Sequence, residues 1–438
     1  MGQRFFRLAA VNILANLTVP LAGLVDTAML GHLDRIEFLA GFALASVLFD
    51  YLYWGCGFLR MGCTGTTAQA VGRGDREEAH VVLQRYMLSA AVLSGFVLVL
   101  QVPARELGFA VLAGAEEVKT AGREYYDARI WGAPAVLANF VFLGWFIGRA
   151  EARRSLFITA TANLGNVALN YVFIFRMGWA AYGAGLATAL SQYLALGVSL
   201  IFFFRTKIHR PGWRRLLDAG AIRGLLGLNR DIFIRTLCLI SVFGAFTNIS
   251  SLLGVSVLAA NTILIRLLNS AAIGIDGLAY AMETMGGILW GKRDGKELRR
   301  LLITGLLAAE AIAVLLLIFP ILFPRQLYGV MTVHVEVIDT AERFGLWLVP
   351  TLLIGALAYI YDGLFIGWTQ GRVLRNSMLI SMLVFFAPPA VLALLWESNH
   401  LLWFAMALFM AARTVTLGLA TGHLIGKGGS AGHFSSGS

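Results

Sequence analysis

Apolar runs of about twenty residues recur along the whole chain, separated by short polar connectors. That is the length a helix needs to cross the hydrocarbon core of a bilayer. The pattern predicts roughly twelve spans, near 8–31, 39–70, 79–101, 122–148, 155–175, 182–204, 228–250, 257–289, 301–323, 340–367, 377–396 and 401–425. Backbone groups in hydrocarbon must be satisfied within their own element, so runs of this length are read as helices. The expected fold is an all-α polytopic membrane protein.

The connectors differ in charge. Arg73 and Arg76, Arg149 with Arg153 and Arg154, the stretch from Arg205 to Arg223, Lys292 to Arg300, and Arg372 with Arg375 follow the even-numbered spans. The opposite loops carry only scattered bases such as Arg35, Arg105, Lys119, Arg176 and Arg325. The positive-inside bias therefore places both termini, with Arg4 and Arg7, on the cytoplasmic side. The longest basic connector contains Pro211, Gly212 and Gly220 and falls at mid-chain, as a linker between two halves would. The expected organisation is an amino-terminal six-helix lobe over 1–204, a cytoplasmic linker over 205–227, a carboxy-terminal six-helix lobe over 228–425 and a flexible tail over 426–438.

An internal repeat supports this division. Offsetting the chain by about half its length aligns Leu39-Ala40 with Leu258-Ala259, Gly55 with Gly274, Gly72-Arg73-Gly74-Asp75 with Gly291-Lys292-Arg293-Asp294, and Phe146-Ile147-Gly148 with Phe365-Ile366-Gly367, without a gap. Equal numbers of spans per half make the repeat parallel, and a cleft between the halves is the expected binding site.

Composition agrees with the class: 58% of residues are hydrophobic and 14% charged, with a mean hydropathy of +0.75. The net charge of +10 could suggest nucleic acid, but the bases sit in short loops between spans, so no nucleic-acid partner is expected. Cys56, Cys63 and Cys238 lie in apolar segments without metal-ligand spacing and read as small buried hydrophobes. No cleavage site follows the first apolar run, which is read as a retained span. There is no Walker motif, nucleophile elbow or His-Glu-x-x-His, so neither an ATP-driven pump nor a membrane hydrolase is supported, and the chain is not read as an enzyme.

Ionisable residues inside spans are costly and carry the functional argument. Asp26 stands alone in Leu17–Leu30, with Pro20 and Gly23 nearby to allow the helix to bend, and is the first functional candidate; a satisfied acid at a structural kink is the alternative. Asp276 and Glu283, seven residues apart, share one face of the eighth span, and that face is expected to meet water or the cleft. Glu283 could instead reach interfacial water at the helix end. Asp362 lies deep in the tenth span, where it could bind a cation or pair with an interior arginine. Asp231 and Arg235 have i,i+4 spacing and are read as a local pair. Asp50, Arg60 and Arg266 complete the set as candidate charge partners. Asn163, Asn166 and Asn170 form one stripe of the fifth span, suited either to clamping a helix or to coordinating an ion through oxygen. The deep charges read as predominantly acidic.

Three stretches carry a family resemblance: Pro-Leu-Ala-Gly-Leu-Val-Asp-Thr-Ala-Met-Leu-Gly-His-Leu at 20–33, Gly-Phe-Leu-Arg-Met-Gly-Cys-Thr-Gly at 57–65, and Ile-Asp-Gly-Leu-Ala-Tyr-Ala-Met-Glu at 275–283. They resemble the DinF branch of the multidrug and toxic compound extrusion (MATE) transporters, and the resemblance covers nearly the whole chain. It implies two six-helix bundles around a central cavity and cation-driven efflux by alternating access. It makes Asp26 the coupling carboxylate of the first span, and matches Asp276, Glu283 and Asp362 to acids of the carboxy-terminal lobe. Two departures stand out: Asn166-Val-Ala-Leu-Asn170 replaces the Asn-x-x-x-Asp of many relatives, and Asp50 stands where Asn is expected, its repeat partner being Asn269. Asn170 supplies oxygen but no charge, which favours H+ over Na+ as coupling ion. The expected protein is a monomeric antiporter in the cell membrane, or in an organellar membrane if eukaryotic. It would need no cofactor or metal and export amphipathic, often cationic, organic compounds. A lipid-linked precursor flippase of the same superfamily and a sodium-coupled exporter are the alternatives.

Overall fold

A computed structural model describes residues 2–33, 35–206 and 213–430; residues 207–212 of the expected linker and 431–438 of the expected tail lie outside the described residues. Among the described residues, twelve helices are long and apolar enough to cross a membrane: α1 (Gly2–Gly31), α2 (Ile36–Gly72), α3 (Arg76–Val99), α4 (Glu116–Gly148), α5 (Ala152–Arg176), α6 (Ala180–Phe204), α7 (Ala219–Leu252), α8 (Val255–Lys292), α9 (Gly295–Leu322), α10 (Leu348–Gly367), α11 (Gly371–Leu395) and α12 (Asn399–Ile425). No strand occurs among the described residues. The tenth span is shorter than the expected 340–367, because a separate helix, Val335–Gly345, ends at a turn before α10 begins. Two further short helices, Gln101–Val111 and Pro324–Met331, occupy connectors expected to be irregular.

The chain forms two compact units, Leu14–Leu225 and Met1–Ile13 with Leu226–Ser438. The boundary near 225 falls at the end of the expected linker, whereas α1 is divided between the units. Its first third joins the carboxy-terminal unit for a steric reason. Gly277 of α8 meets the backbone of Ile13 so closely that a Cβ there would have no room.

The repeat is written into the turns and the helix crossings. Asp75 caps α3 by accepting from Glu78 N at 2.9 Å, and Asp294 caps α9 by accepting from Glu297 N at 3.0 Å. The residue before each aspartate turns through the left-handed region, Gly74 at φ 77° and Arg293 at φ 60°. The same offset relates Ala150 to Thr369, with φ of 61° and 55°. It also relates four close crossings: Gly144 and Gly148 of α4 lie against the carbonyls of Arg60 and Thr64, and Gly363 and Gly367 of α10 lie against those of Ala279 and Glu283. Without water to drive helices together, close backbone approach through small residues gives such bundles their packing energy. Large apolar side chains point outward instead, among them Leu24, Phe96, Leu307 and Leu419, each more than 60% exposed. That distribution suits a lipid surround.

Candidate ion-coupling site

In the amino-terminal unit the asparagine stripe of α5 faces α1. Asn163 Nδ2 donates to Thr18 Oγ1 at 2.7 Å, and Asn170 Nδ2 donates to Asp26 Oδ1 at 2.6 Å. Asn166 lies between them with both ends of its amide in reach of a partner. One orientation donates to Asp26 Oδ1 at 2.7 Å and accepts from Thr188 Oγ1 of α6 at 3.1 Å. The other donates to Thr188 Oγ1, whose own hydrogen goes to the Ala184 carbonyl at 2.9 Å. Asn166 and Asn170 are buried and Asp26 is half-buried. Directly after Asn170 the helix widens to a π-helical segment, Tyr171–Arg176, a local feature often found beside functional side chains. The stripe therefore clamps α1 through hydrogen bonds and brings two amides, with no second carboxylate, to Asp26.

Arg129 of α4 interacts electrostatically with both Asp26 and Asp50. Its guanidinium lies over the Phe49 ring at 4.3 Å, with Tyr125 and Tyr53 at 5.6 and 5.9 Å, and donates to Tyr125 Oη at 3.0 Å. Asp50 follows Phe49 on α2 and is exposed.

In the carboxy-terminal unit Asp362 is buried between two arginines. Arg413 of α12 reaches its Oδ2 at 2.6 Å, and Arg235 of α7 pairs with the same oxygen. All three side chains are less than 10% exposed. The expected Asp231–Arg235 pair does not form: Asp231 pairs with Arg375 of α11 at 2.7 Å and with Arg230 at 3.2 Å. The reason is burial, since Arg235 points into the unit, where Asp362 has no water to balance its charge. The guanidiniums at Asp362 thus come from Arg235 and Arg413, not from Arg60 or Arg266. Arg60 is half-buried and Arg266 exposed.

Asp276 is half-buried and lies in the electrostatic field of Arg235 and Tyr359. Glu283 is wholly buried, at the crossing where Gly367 touches its carbonyl. Its side chain does not reach interfacial water. Nor are the deep charges predominantly acidic, since Arg129, Arg235 and Arg413 offset the aspartates. No group of three metal-ligating side chains occurs among the described residues. The three cysteines are free and buried, as expected.

Twelve apolar helices with a repeat in their crossings, and ionisable residues held inside the spans, define a polytopic membrane transporter. A family model, MatE, matches residues 12–172 and 232–395. DNA damage-inducible protein F of Escherichia coli (strain K12) is 33% identical over 423 residues, covering 95% of this chain and 91% of that protein. A probable multidrug resistance protein NorM of Synechococcus is 28% identical, covering 88% and 84%. The chain belongs to the MatE family. Solved structures agree in fold. An outward-facing multidrug resistance MATE family transporter of the MOP superfamily superposes with a TM-score of 0.87 at 19% identity, over 98% of this chain and 97% of that one. A MOP superfamily transporter from Pyrococcus furiosus also gives 0.87 at 19% identity, over 98% and 96%.

Proposed function

We propose that the protein is a proton-coupled antiporter that exports amphipathic, cationic organic compounds across the bacterial inner membrane by alternating access, with Asp26 as its coupling acid. The observation that carries this reading is the set of partners around Asp26 among the described residues: neutral amides from Asn166 and Asn170, and no second carboxylate. A bare sodium ion generally needs several oxygen ligands and enough negative charge to offset its dehydration, whereas a proton needs one carboxyl group in a tuned environment.

The amides also suit both states of that carboxyl. When Asp26 is ionised, Asn166 and Asn170 donate to it while Thr188 donates to the Asn166 oxygen. When Asp26 carries a proton, its hydroxyl donates to the Asn166 oxygen, the Asn166 NH2 turns to Thr188, and Thr188 donates to Ala184. Asp26, Asn166 and Thr188 each keep a partner in both states, which lowers the cost of changing protonation in a membrane interior. Protonation removes the attraction for an organic cation and replaces charge-assisted hydrogen bonds between α1 and α5 by weaker neutral ones, so proton entry favours substrate release.

The test is transport in proteoliposomes under imposed gradients. A pH gradient should drive uphill transport of an organic cation, and Asp26→Asn, a mimic of the protonated state, should fold yet lose that transport. Equal drive by a sodium gradient at fixed pH would defeat the proton reading. A flippase for lipid-linked pyrophosphates would need guanidiniums free to meet the anion; those of Arg235 and Arg413 are engaged by Asp362, and that of Arg129 is held over Phe49, Tyr53 and Tyr125.

A further inference from the structure

Asp231 is one buried carboxylate serving guanidiniums from two spans. Arg375 of α11 reaches its Oδ1 at 2.7 Å, and Arg230 of α7 reaches the same oxygen at 3.2 Å. The acid is 4% exposed and the arginines 24% and 62%, so both cations are held from behind while their outer sides stay open. Arg230 bonds through Nε and Nη2, which leaves Nη1 without a partner among the described residues. The two spans pack closely at this point: a Cβ on Gly371 would lie 3.0 Å from that of Asp231 and 2.9 Å from Leu228 Cδ1.

Around this pair the side chains sort by charge along the helix. Arg223, Leu226, Arg230, Phe233 and Leu237 recur at helical spacing on one stripe of α7, and all are exposed. The stripe is basic where the apolar run begins and apolar beyond it, the order a phospholipid presents from headgroup to acyl chain. Arg372 of α11 is exposed as well, and neither helix contains an acid besides Asp231. Four arginines therefore stand against one aspartate at the membrane boundary, and phosphate oxygens match the flat fork of a guanidinium.

We infer that Arg223, Arg230 and Arg375 form a binding site for the phosphodiester headgroup of an anionic phospholipid, with its acyl chains along Phe233 and Leu237. Asp231 is a positioning residue there: it orients two guanidiniums while cancelling the charge of one. The bound lipid fastens α7 to α11 at the headgroup layer. Its occupancy depends on neither the coupling ion nor the substrate, so the inference stands apart from the reading of Asp26.

Thermal unfolding of the purified full chain in mixed micelles tests this, with phosphatidylglycerol replacing phosphatidylcholine at constant total lipid. Each variant is compared with itself in phosphatidylcholine alone, so changes in its intrinsic stability drop out. The unaltered chain should gain stability as phosphatidylglycerol rises. In Arg230→Gln the half-saturating fraction should increase about fivefold, the effect of one arginine near an anionic surface, while Arg230→Lys keeps most of the response. Arg299→Gln, which removes an exposed charge near the start of α9, should leave the response unchanged. A response of Arg230→Gln equal to that of the unaltered chain, or an equal loss in Arg299→Gln, would overturn the inference. Stabilisation by soluble glycerol phosphate equal to that by phosphatidylglycerol would overturn the lipid assignment in favour of a free phosphate. If Arg230→Gln does not fold, Arg223→Gln decides: a weakened response supports the site, and an unchanged one defeats it.

Discussion

Neutralising Asp362 should destabilise the carboxy-terminal unit more than any other single change of charge. In Asp362→Asn the side-chain shape survives, but Arg235 and Arg413, both buried, lose the carboxylate they share. At an effective dielectric of about 20, each pair near contact contributes about 4 kcal/mol of attraction, so the gross loss is about 8 kcal/mol. Asparagine still accepts a hydrogen bond, and the two guanidiniums separate slightly and draw on Asp276. The net cost expected is about 3–5 kcal/mol, the usual result of breaking a buried pair from one side. Removing one arginine as well, in Asp362→Asn with Arg413→Met, should restore part of that loss, since fewer buried charges remain unmatched. The assay is unfolding of the purified protein in detergent, by heat or by a denaturing detergent titration. If Asp362→Asn is as stable as the unaltered chain to within about 0.5 kcal/mol, the triad is not holding the unit together. A selective loss of cation binding at full stability would instead make Asp362 a substrate site.

Other outcomes follow from the same geometry. Thr188→Val should keep the fold but weaken pH-driven transport, because Asn166 loses its alternate partner; unchanged transport in proteoliposomes would count against the amide path. Gly367→Ala should cost about 1–3 kcal/mol or more by forcing α10 from the Glu283 carbonyl, measurable as a lower unfolding temperature. Asp75→Ala and Asp294→Ala should each cost about 1 kcal/mol as lost helix caps, and similar losses would confirm that the repeat extends to energetics. A cysteine placed in the 205–223 connector should resist an impermeant reagent in intact cells, while one near Arg105 should react; the reverse pattern would invert the topology.

The spans were legible because bilayer thickness fixes their length, and the repeat because glycines at close crossings and capping aspartates are local requirements of the backbone. Asp26, Asn166 and Asn170 were legible for a related reason, each being a polar residue in a run that excludes them. Their partners were not, since α1 meets α5, and α5 meets α6, through tertiary packing that periodicity does not encode. The i,i+4 spacing of Asp231 and Arg235 misled because a deeper acid from another helix competes for the same arginine. Two signals were present and unused. Arg413 interrupts the apolar run of α12 in Ala-Ala-Arg-Thr-Val, and Arg129 lies within α4 just past the Tyr125-Tyr126 pair. Thr188 gave no such signal, because a hydroxyl inside a span commonly returns its hydrogen to its own helix.

What repeats and what does not divides scaffold from chemistry. The offset that superposes caps, left-handed turns and glycine crossings fails at the charges. It sets Asp26 opposite Ala245, Arg129 opposite Leu348, Asp362 opposite Leu143 and Arg413 opposite Leu194. The two units share a backbone solution and differ in electrostatics. One carries a carboxylate held by reorientable amides beside a cation in an aromatic box; the other buries a carboxylate between two arginines. A proton arriving at Asp26 leaves neutral hydrogen bonds intact, whereas a proton arriving at Asp362 would strand two buried guanidiniums. Protonation is therefore cheap in the first unit and costly in the second. Under the proton coupling proposed above, this asymmetry makes the amino-terminal unit the place where a pH gradient acts, and leaves the Arg235–Asp362–Arg413 triad to hold the other unit in one form.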